Sequence, residues 1–262
     1  MARPFDDLTP ALTRLGPPPG EARREVLFIH GAWGGAWVWE GLAEPVAQAG
    51  YGVNLIEMPG HGGDRWELPA STSIADYADL SRRAAASLGR PVLVGHSLGG
   101  WQVQKIWEAV DLPGALVAPL PASGLPLGSL LRLQVRYPGP MLRPLLGLPV
   151  EIRDRAMARR LLFRSLPDAQ VDARLARLVP EPARVTLDMA LGLVRARPRP
   201  GREPRLLLAP ERDYLFPVAV QRRLARRLGA RLELLPGLPH EPWTEDKQGL
   251  VLGLLLDFLK GL

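Results

Sequence analysis

Short, wholly apolar runs recur along the first half of the chain, and glycine follows each of them. Val26-Leu27-Phe28-Ile29 meets His30-Gly31, and Gly52-Val53-Asn54-Leu55-Ile56 precedes Pro59-Gly60-His61-Gly62-Gly63. Pro91-Val92-Leu93-Val94 meets Gly95-His96-Ser97. Such runs suit parallel strands buried on both faces. Ala115-Leu116-Val117-Ala118, Arg205-Leu206-Leu207-Leu208-Ala209 and Arg231-Leu232-Glu233-Leu234-Leu235 read as three more. Residues 37–49, 73–88, a stretch from Trp101, and residues 218–228 and 246–259 read as helices. Ser73 stands where an N-cap belongs, with Asp76 three residues on in the capping-box position. Strands alternating with helices predict an α/β fold with a doubly wound, mainly parallel sheet.

Two stretches interrupt the alternation. Residues 1–24 read as a loose arm, because Gly16-Pro17-Pro18-Pro19-Gly20 suits neither a helix nor a central strand. Residues 122–200 are rich in Leu, Arg and Pro, mostly helical and without a clear strand. They read as a helical cap inserted after the strand near residue 118 and laid over the strand ends. The predicted organisation is thus an N-terminal arm (1–24), a core (25–121 and 201–262) and a cap (122–200).

A length of 262 residues with 47% hydrophobic content suits one α/β domain with a modest insertion. No apolar run reaches the roughly 18 residues of a membrane helix, so no membrane span is expected. Met1-Ala2-Arg3-Pro4-Phe5-Asp6-Asp7 carries two acids and no apolar signal core, which predicts a cytoplasmic location. The absence of cysteine excludes disulfides, Cys-ligated metals and a Cys nucleophile. The net charge is +6, and the sequence pI is about 10.2. A basic chain can bind nucleic acid or acidic membranes. Here the arginines lie on mixed helical stretches with no nucleic-acid motif, so no nucleic-acid partner is expected. Residues 122–200 hold fourteen Arg and no Lys against six acids, a net +8 that leaves the rest of the chain at −2. That charge either steers anionic substrates, such as acyl-thioesters or carboxylated esters, or belongs to solvated helix faces whose Arg stems cover apolar surface.

Gly95-His96-Ser97-Leu98-Gly99 lies between a buried strand and a helix. A serine in so tight a turn is strained, and its hydroxyl is pushed into the cleft. A serine hydroxyl needs a base to act as a nucleophile. Of the four histidines, His30 lies at the first strand end, and His61 in a Pro-Gly loop where it is expected to bond locally. His96 is turned away by the bend, and His240 follows the last strand. Loops after parallel strands gather at one sheet edge, so His240 is the candidate base. Asp213 is the candidate orienting carboxylate, with Glu211 as the fallback. The Ala32 and Leu98 N–H groups are the candidate oxyanion donors, and Trp33, less suited as a donor, is expected to wall the pocket. Trp33, His96, Leu131, Met141 and Trp243 are the candidate pocket residues. Leu130, Leu131, Leu133, Met141, Leu145 and Leu146 either line an acyl pocket or form helix core. No His/Asp cluster has ligand spacing, so neither a metal nor a cofactor is expected.

On these motifs the chain resembles the α/β-hydrolase superfamily from Val26 onward. The segment His30-Gly31-Ala32-Trp33-Gly34-Gly35-Ala36-Trp37-Val38-Trp39 is similar to its serine esterase branch, related to plant methylesterases and hydroxynitrile lyases. The lyases of that branch usually carry threonine where this chain has Gly31. They also carry lysine just after the catalytic histidine, where Glu241 stands here and cannot stabilise a leaving cyanide. Dehalogenases and epoxide hydrolases of this superfamily use an aspartate nucleophile, where this chain has Ser97. The resemblance implies a serine hydrolase that cleaves a small-molecule ester or related acyl bond through an acyl-enzyme at Ser97. Two alternatives stay open: a lyase, acyltransferase or C–C bond hydrolase on the same triad, and a ligand-binding receptor on this fold.

Overall fold

Each apolar run becomes a strand in the computed structural model, which describes residues 5, 7–62 and 68–262. Gly63 and most of the N-terminal residues read for a signal peptide lie outside the described residues. The strands are β1 (Ala11–Leu15), β2 (Glu25–Ile29), β3 (Gly52–Glu57), β4 (Val92–His96), β5 (Gly114–Val117), β6 (Arg205–Pro210) and β7 (Arg231–Leu235). They form a sheet of order β1-β3-β2-β4-β5-β6-β7, parallel except for the β1–β3 pair.

Side chains leave the sheet alternately on its two faces, and both faces are covered. Leu27, Ile29, Leu93, Leu116 and Leu207 enter one apolar cluster with α2 (Ile74–Ser87), α3 (Leu98–Ile106) and α9 (Val218–Leu228). Val26, Phe28, Val92, Val94, Val117 and Leu208 enter the other with α1 (Ala43–Gln48) and α10 (Leu250–Lys260). A strand packed on both faces has no solvent side, which is why its sequence is apolar without alternation.

The loose arm expected over residues 1–24 is corrected. Its residues 11–15 form β1, paired antiparallel to β3 from Ala11↔Glu57 to Leu15↔Val53. Backbone pairing to a neighbour needs no apolar run, and this edge strand is partly exposed. The proline run is the connection that carries the chain round to β2.

Helix ends differ from expectation where glycine takes a left-handed conformation. The helix read over residues 37–49 divides into a 3-10 turn, Ala36–Trp39, and α1, with Gly41 (φ +81°) between them. The last helix starts at Leu250 rather than 246, after Gly249 (φ +67°). The capping box forms as read: Ser73 accepts the Ala75 N–H (3.0 Å), and Asp76 accepts the Ser73 N–H (2.8 Å).

Between β5 and β6 the chain forms α4 (Leu127–Arg136), α5 (Pro138–Leu142), α6 (Arg155–Leu161), α7 (Asp168–Leu175) and α8 (Ala183–Leu191). An isolated antiparallel bridge joins Val150 to Glu181 within this segment. Among the described residues, no helix is long and apolar enough to cross a membrane.

α3 lies hard against β2. A Cβ on Gly99 would stand 2.0 Å from the Ile29 carbonyl oxygen, and one on Gly95 would stand 2.6 Å from that of Gly99. Both obstacles are backbone and cannot rotate away. Gly99→Ala is therefore expected to cost roughly 3 kcal/mol or more, read as a lower urea midpoint. A variant as stable as the parent would mean that α3 can shift off the sheet.

Candidate active site

Ser97 occupies the turn between β4 and α3, with φ +51° and ψ −116°. A non-glycine residue adopts such a backbone only when its surroundings enforce it, at a cost of about 1–3 kcal/mol. Here the enforcement is visible. The Ser97 N–H donates to the Val117 carbonyl (3.1 Å), while its carbonyl accepts from Leu120 (2.9 Å) and Trp101 (3.2 Å). The backbone is thus tied to the β5 end and to α3, and the side chain reaches the cavity above the sheet.

The β6 and β7 ends supply the carboxylate and the imidazole. Asp213 Oδ1 accepts the N–H groups of Leu215 (2.7 Å) and Phe216 (3.0 Å), and Oδ2 accepts the His240 Nδ1–H at 2.9 Å. Both side chains are buried. The Nδ1 bond selects the tautomer whose Nε2 carries the lone pair a base needs. His96 holds His240 from behind, its Nε2–H donating to the His240 carbonyl at 3.0 Å. Burial, with His240 next to it, keeps the His96 pKa well below the ordinary histidine value, so the ring stays neutral.

The loop after β2 lies against the serine. A Cβ on Gly31 would meet the Ser97 Cβ at 3.0 Å and the His96 Nδ1 at 3.1 Å, so a bare glycine lets Ala32 stand beside Ser97. His30 fastens the start of this loop. It accepts the Met58 N–H (3.1 Å) and donates to the Gly31 carbonyl (2.8 Å), and burial next to His61 lowers its pKa to about 3.

A residue that sequence reasoning passed over fastens the rest of the loop. Glu181, fully buried at the bridge to Val150, accepts from the Trp33 N–H (2.9 Å), His61 Nε2 (2.9 Å) and the Tyr77 hydroxyl (3.2 Å). With its N–H committed to Glu181, Trp33 is no oxyanion donor; its indole donates to the Val150 carbonyl. His61, expected to bond only within its loop, bonds Pro59 there and reaches Glu181 as well. Burial alone would lower the His61 pKa, but the charge and hydrogen bond of Glu181 outweigh it, with Pro59 and Glu57 adding to the rise. The sequence carried no local signal for Glu181, whose partners lie far away along the chain.

Ser97 opens into an apolar chamber lined by Ala32, Trp33 and Leu120 from the core, Leu215 and Phe216 from the β6 loop, and Leu133, Met141, Val150, Met157, Leu161 and Met189 from the cap. Trp33 and Met141 stand in this wall. Three other pocket expectations are corrected. Leu131 is 56% exposed on the outer side of α4. His96 lies beneath His240, and Trp243 packs edge-on against His96 while its indole donates to the Val38 carbonyl. Both therefore back the imidazole rather than line the chamber. A second cleft meets His240 on the Asp213 side and is lined by Arg159, Arg160, Arg164 and Arg212.

The cap's charge is partly neutralised locally. Arg143, Arg153, Arg155, Arg159, Arg174, Arg177 and Arg184 all lie in ion pairs with acids. That pairing favours the reading of solvated helix faces for those seven. Glu241, next to His240, is 3% exposed, with its Oε2 at 3.7 Å from Arg174 Nη1. Burial pushes its pKa up to about 7, against the pull of Arg174 and His240.

The profile of the Alpha/beta hydrolase family matches residues 26–251. The probable esterase PIR7A of Oryza sativa subsp. indica is 31% identical over 112 residues, which are 40% of this chain and 43% of the rice protein. The match to methyl jasmonate esterase 1 of Vitis vinifera is 32% identical and covers 32% of this chain and 34% of the relative. Those matches thus span less than half the length of either relative. Methylesterase 18 of Arabidopsis thaliana is 24% identical over 87% of this chain and 95% of its own. Among solved structures, the esterase of Exiguobacterium antarcticum superposes with a TM-score of 0.73 at 15% identity, covering 96% of this chain and 95% of that one.

Two carboxylates generate testable outcomes. Glu181→Ala strips the buried His61 ring and the Trp33 N–H of their acceptor, and is expected to cost about 3 kcal/mol or more in urea unfolding. Because the folded state raises the His61 pKa, the pair's contribution is complete below the ordinary histidine range. It fades as pH rises through the raised value. Parental stability in Glu181→Ala would refute the role given to Glu181. For Glu241 the folded state favours the neutral acid, so wild-type stability falls as pH climbs from the ordinary carboxyl value to about 7. Glu241→Gln lacks that loss. Its stability relative to wild type is expected to rise between pH 5 and pH 8, and a difference independent of pH would contradict this.

Proposed function

The chain belongs to the alpha/beta hydrolase family, and from that premise we propose that it is a serine hydrolase of small carboxylic esters with an apolar acyl group. The observation that carries this reading is the strained Ser97 turn opening into an apolar chamber, with the bonded Asp213–His240 pair on the neighbouring strand ends. Relatives named as esterases and methylesterases support the same reaction class.

In the proposed cycle, His240 Nε2 takes the Ser97 proton as the hydroxyl oxygen attacks the ester carbonyl. The N–H groups of Ala32 and Leu98 receive the oxyanion, each contributing roughly 3–4 kcal/mol to the transition state. Asp213 stays ionised and stabilises the imidazolium. His240 then protonates the departing alcohol, leaving the acyl group on Ser97. Water, deprotonated by His240, attacks the acyl carbon and releases the acid. No cofactor enters the cycle. The chamber wall offers the acyl group Leu133, Met141, Met157, Leu161 and Met189. Unbranched methionine side chains adapt to different shapes, which favours tolerance of several acyl groups.

The test is a series of p-nitrophenyl esters of increasing acyl length. Wild type is expected to turn them over with a preference set by the chamber. Ser97→Ala is expected to lower kcat by about 10³-fold or more with the fold retained. Turnover that survives this substitution would sink the mechanism.

A further inference from the structure

The outer surface of the cap is apolar where it should be polar. Seven of the ten exposed large hydrophobic side chains among the described residues lie between residues 127 and 148. On α4, Leu127, Leu131 and Val135 recur every fourth residue along one face and are 71%, 56% and 84% exposed. Leu142, Leu145 and Leu146 continue the patch through the next turn. The opposite side of α4 is already used: Leu133 lines the chamber, and the Ser129 hydroxyl donates to the Leu215 carbonyl at 2.6 Å. The helix is thus apolar both inside and outside. Burial in the protein accounts for only one of these faces.

Charge identifies the occupant of the other. No Asp or Glu occurs between Asp111 and Glu151, where Arg132, Arg136 and Arg143 alternate with the leucines along the chain; Arg132 donates to the Tyr214 carbonyl, and Arg143 pairs with Glu151. With Glu151 the one acid among these arginines, two copies meeting at this face would set net positive charge against itself, which disfavours self-association. An anionic lipid surface satisfies both features, because acyl chains accept the leucines while headgroup phosphates accept the guanidinium groups. We propose that the face formed by Leu127, Leu131, Val135, Leu142, Leu145 and Leu146 docks the cap onto an anionic lipid surface. The chamber wall formed by Leu133 and Met141 then lies on the same two helices as the docked face. That an ester passes from the lipid into this chamber rests on the hydrolase reading; the docking does not.

The experiment is co-sedimentation of the full chain with vesicles of phosphatidylcholine alone and of phosphatidylcholine mixed with phosphatidylglycerol. Binding to the mixed vesicles is expected to be at least tenfold tighter and to weaken with added salt. Combining Leu127→Ser, Val135→Ser and Leu146→Ser is expected to reduce it about tenfold, with turnover of a water-soluble ester unchanged. Failure of the wild type to bind the mixed vesicles would overturn the proposal, as would equal binding by the triple variant. A dimer dispersed by the same substitutions, with no vesicle binding, would assign the face to a second copy and overturn it too. If soluble esters are not turned over while vesicles are bound, the hydrolase reading fails and the docking stands.

Discussion

The helix after Ser97 lies against β2 with no room for a side chain between them. A single Cβ at Gly99 would overlap the Ile29 carbonyl oxygen. From this contact the rest of the site follows. With α3 so close to the sheet, the chain leaving β4 must turn within one residue, and Ser97 takes the left-handed conformation that this demands. A Cβ at Gly31 would press on the Ser97 and His96 side chains at 3.0 and 3.1 Å, so the bare glycine lets the loop after β2 rest against the serine. Strain at one residue is sustained by the packing of two elements, each anchored by a buried apolar face.

Around that turn, environment sets the role of each histidine. His30 is buried against a donor, the Met58 N–H, and remains neutral as a brace. His96 is buried beneath His240 and donates to its carbonyl, again as a neutral ring. His61 meets the buried Glu181 carboxylate and is drawn towards the charged form. His240 is set against Asp213 and lines the second cleft with it. Four identical side chains thus serve as two neutral braces, half of an ion pair and the candidate base. The difference lies in what surrounds each ring.

The cap joins this arrangement through Glu181, which lies in the inserted segment yet holds the Trp33 N–H of the core loop. A carboxylate taken out of water so completely is tolerated because its oxygens accept from three donors on separate elements. The segment between β5 and β6 therefore also fastens the loop beside Ser97. Its helices line the chamber with one surface and present a second apolar surface outward. Apolar residues on both sides of a helix defeat a simple choice between core and pocket.

The buried strands are legible in the sequence because burial on both faces leaves an uninterrupted apolar run. The turn at Ser97 is legible because only glycine fits at Gly95 and Gly99. Asp213 and His240 are legible because parallel strands deliver their following loops to one edge. All of these are local rules, readable a few residues at a time. β1 is not, since an edge strand is held by backbone bonds to β3 and carries no apolar run of its own. Glu181 is not, since its meaning lies in contacts with Trp33, His61 and Tyr77, more than a hundred residues away along the chain. Nor are the places of Leu131, His96 and Trp243, because helical spacing states which residues share a face without stating what that face meets. The sequence by itself determined the six strands with apolar runs, the chemistry of the loops that follow them and the strained serine. Only the tertiary structure decided which side chains wall the chamber, which brace it and which face outward, because those outcomes depend on neighbours that the chain brings together only when folded.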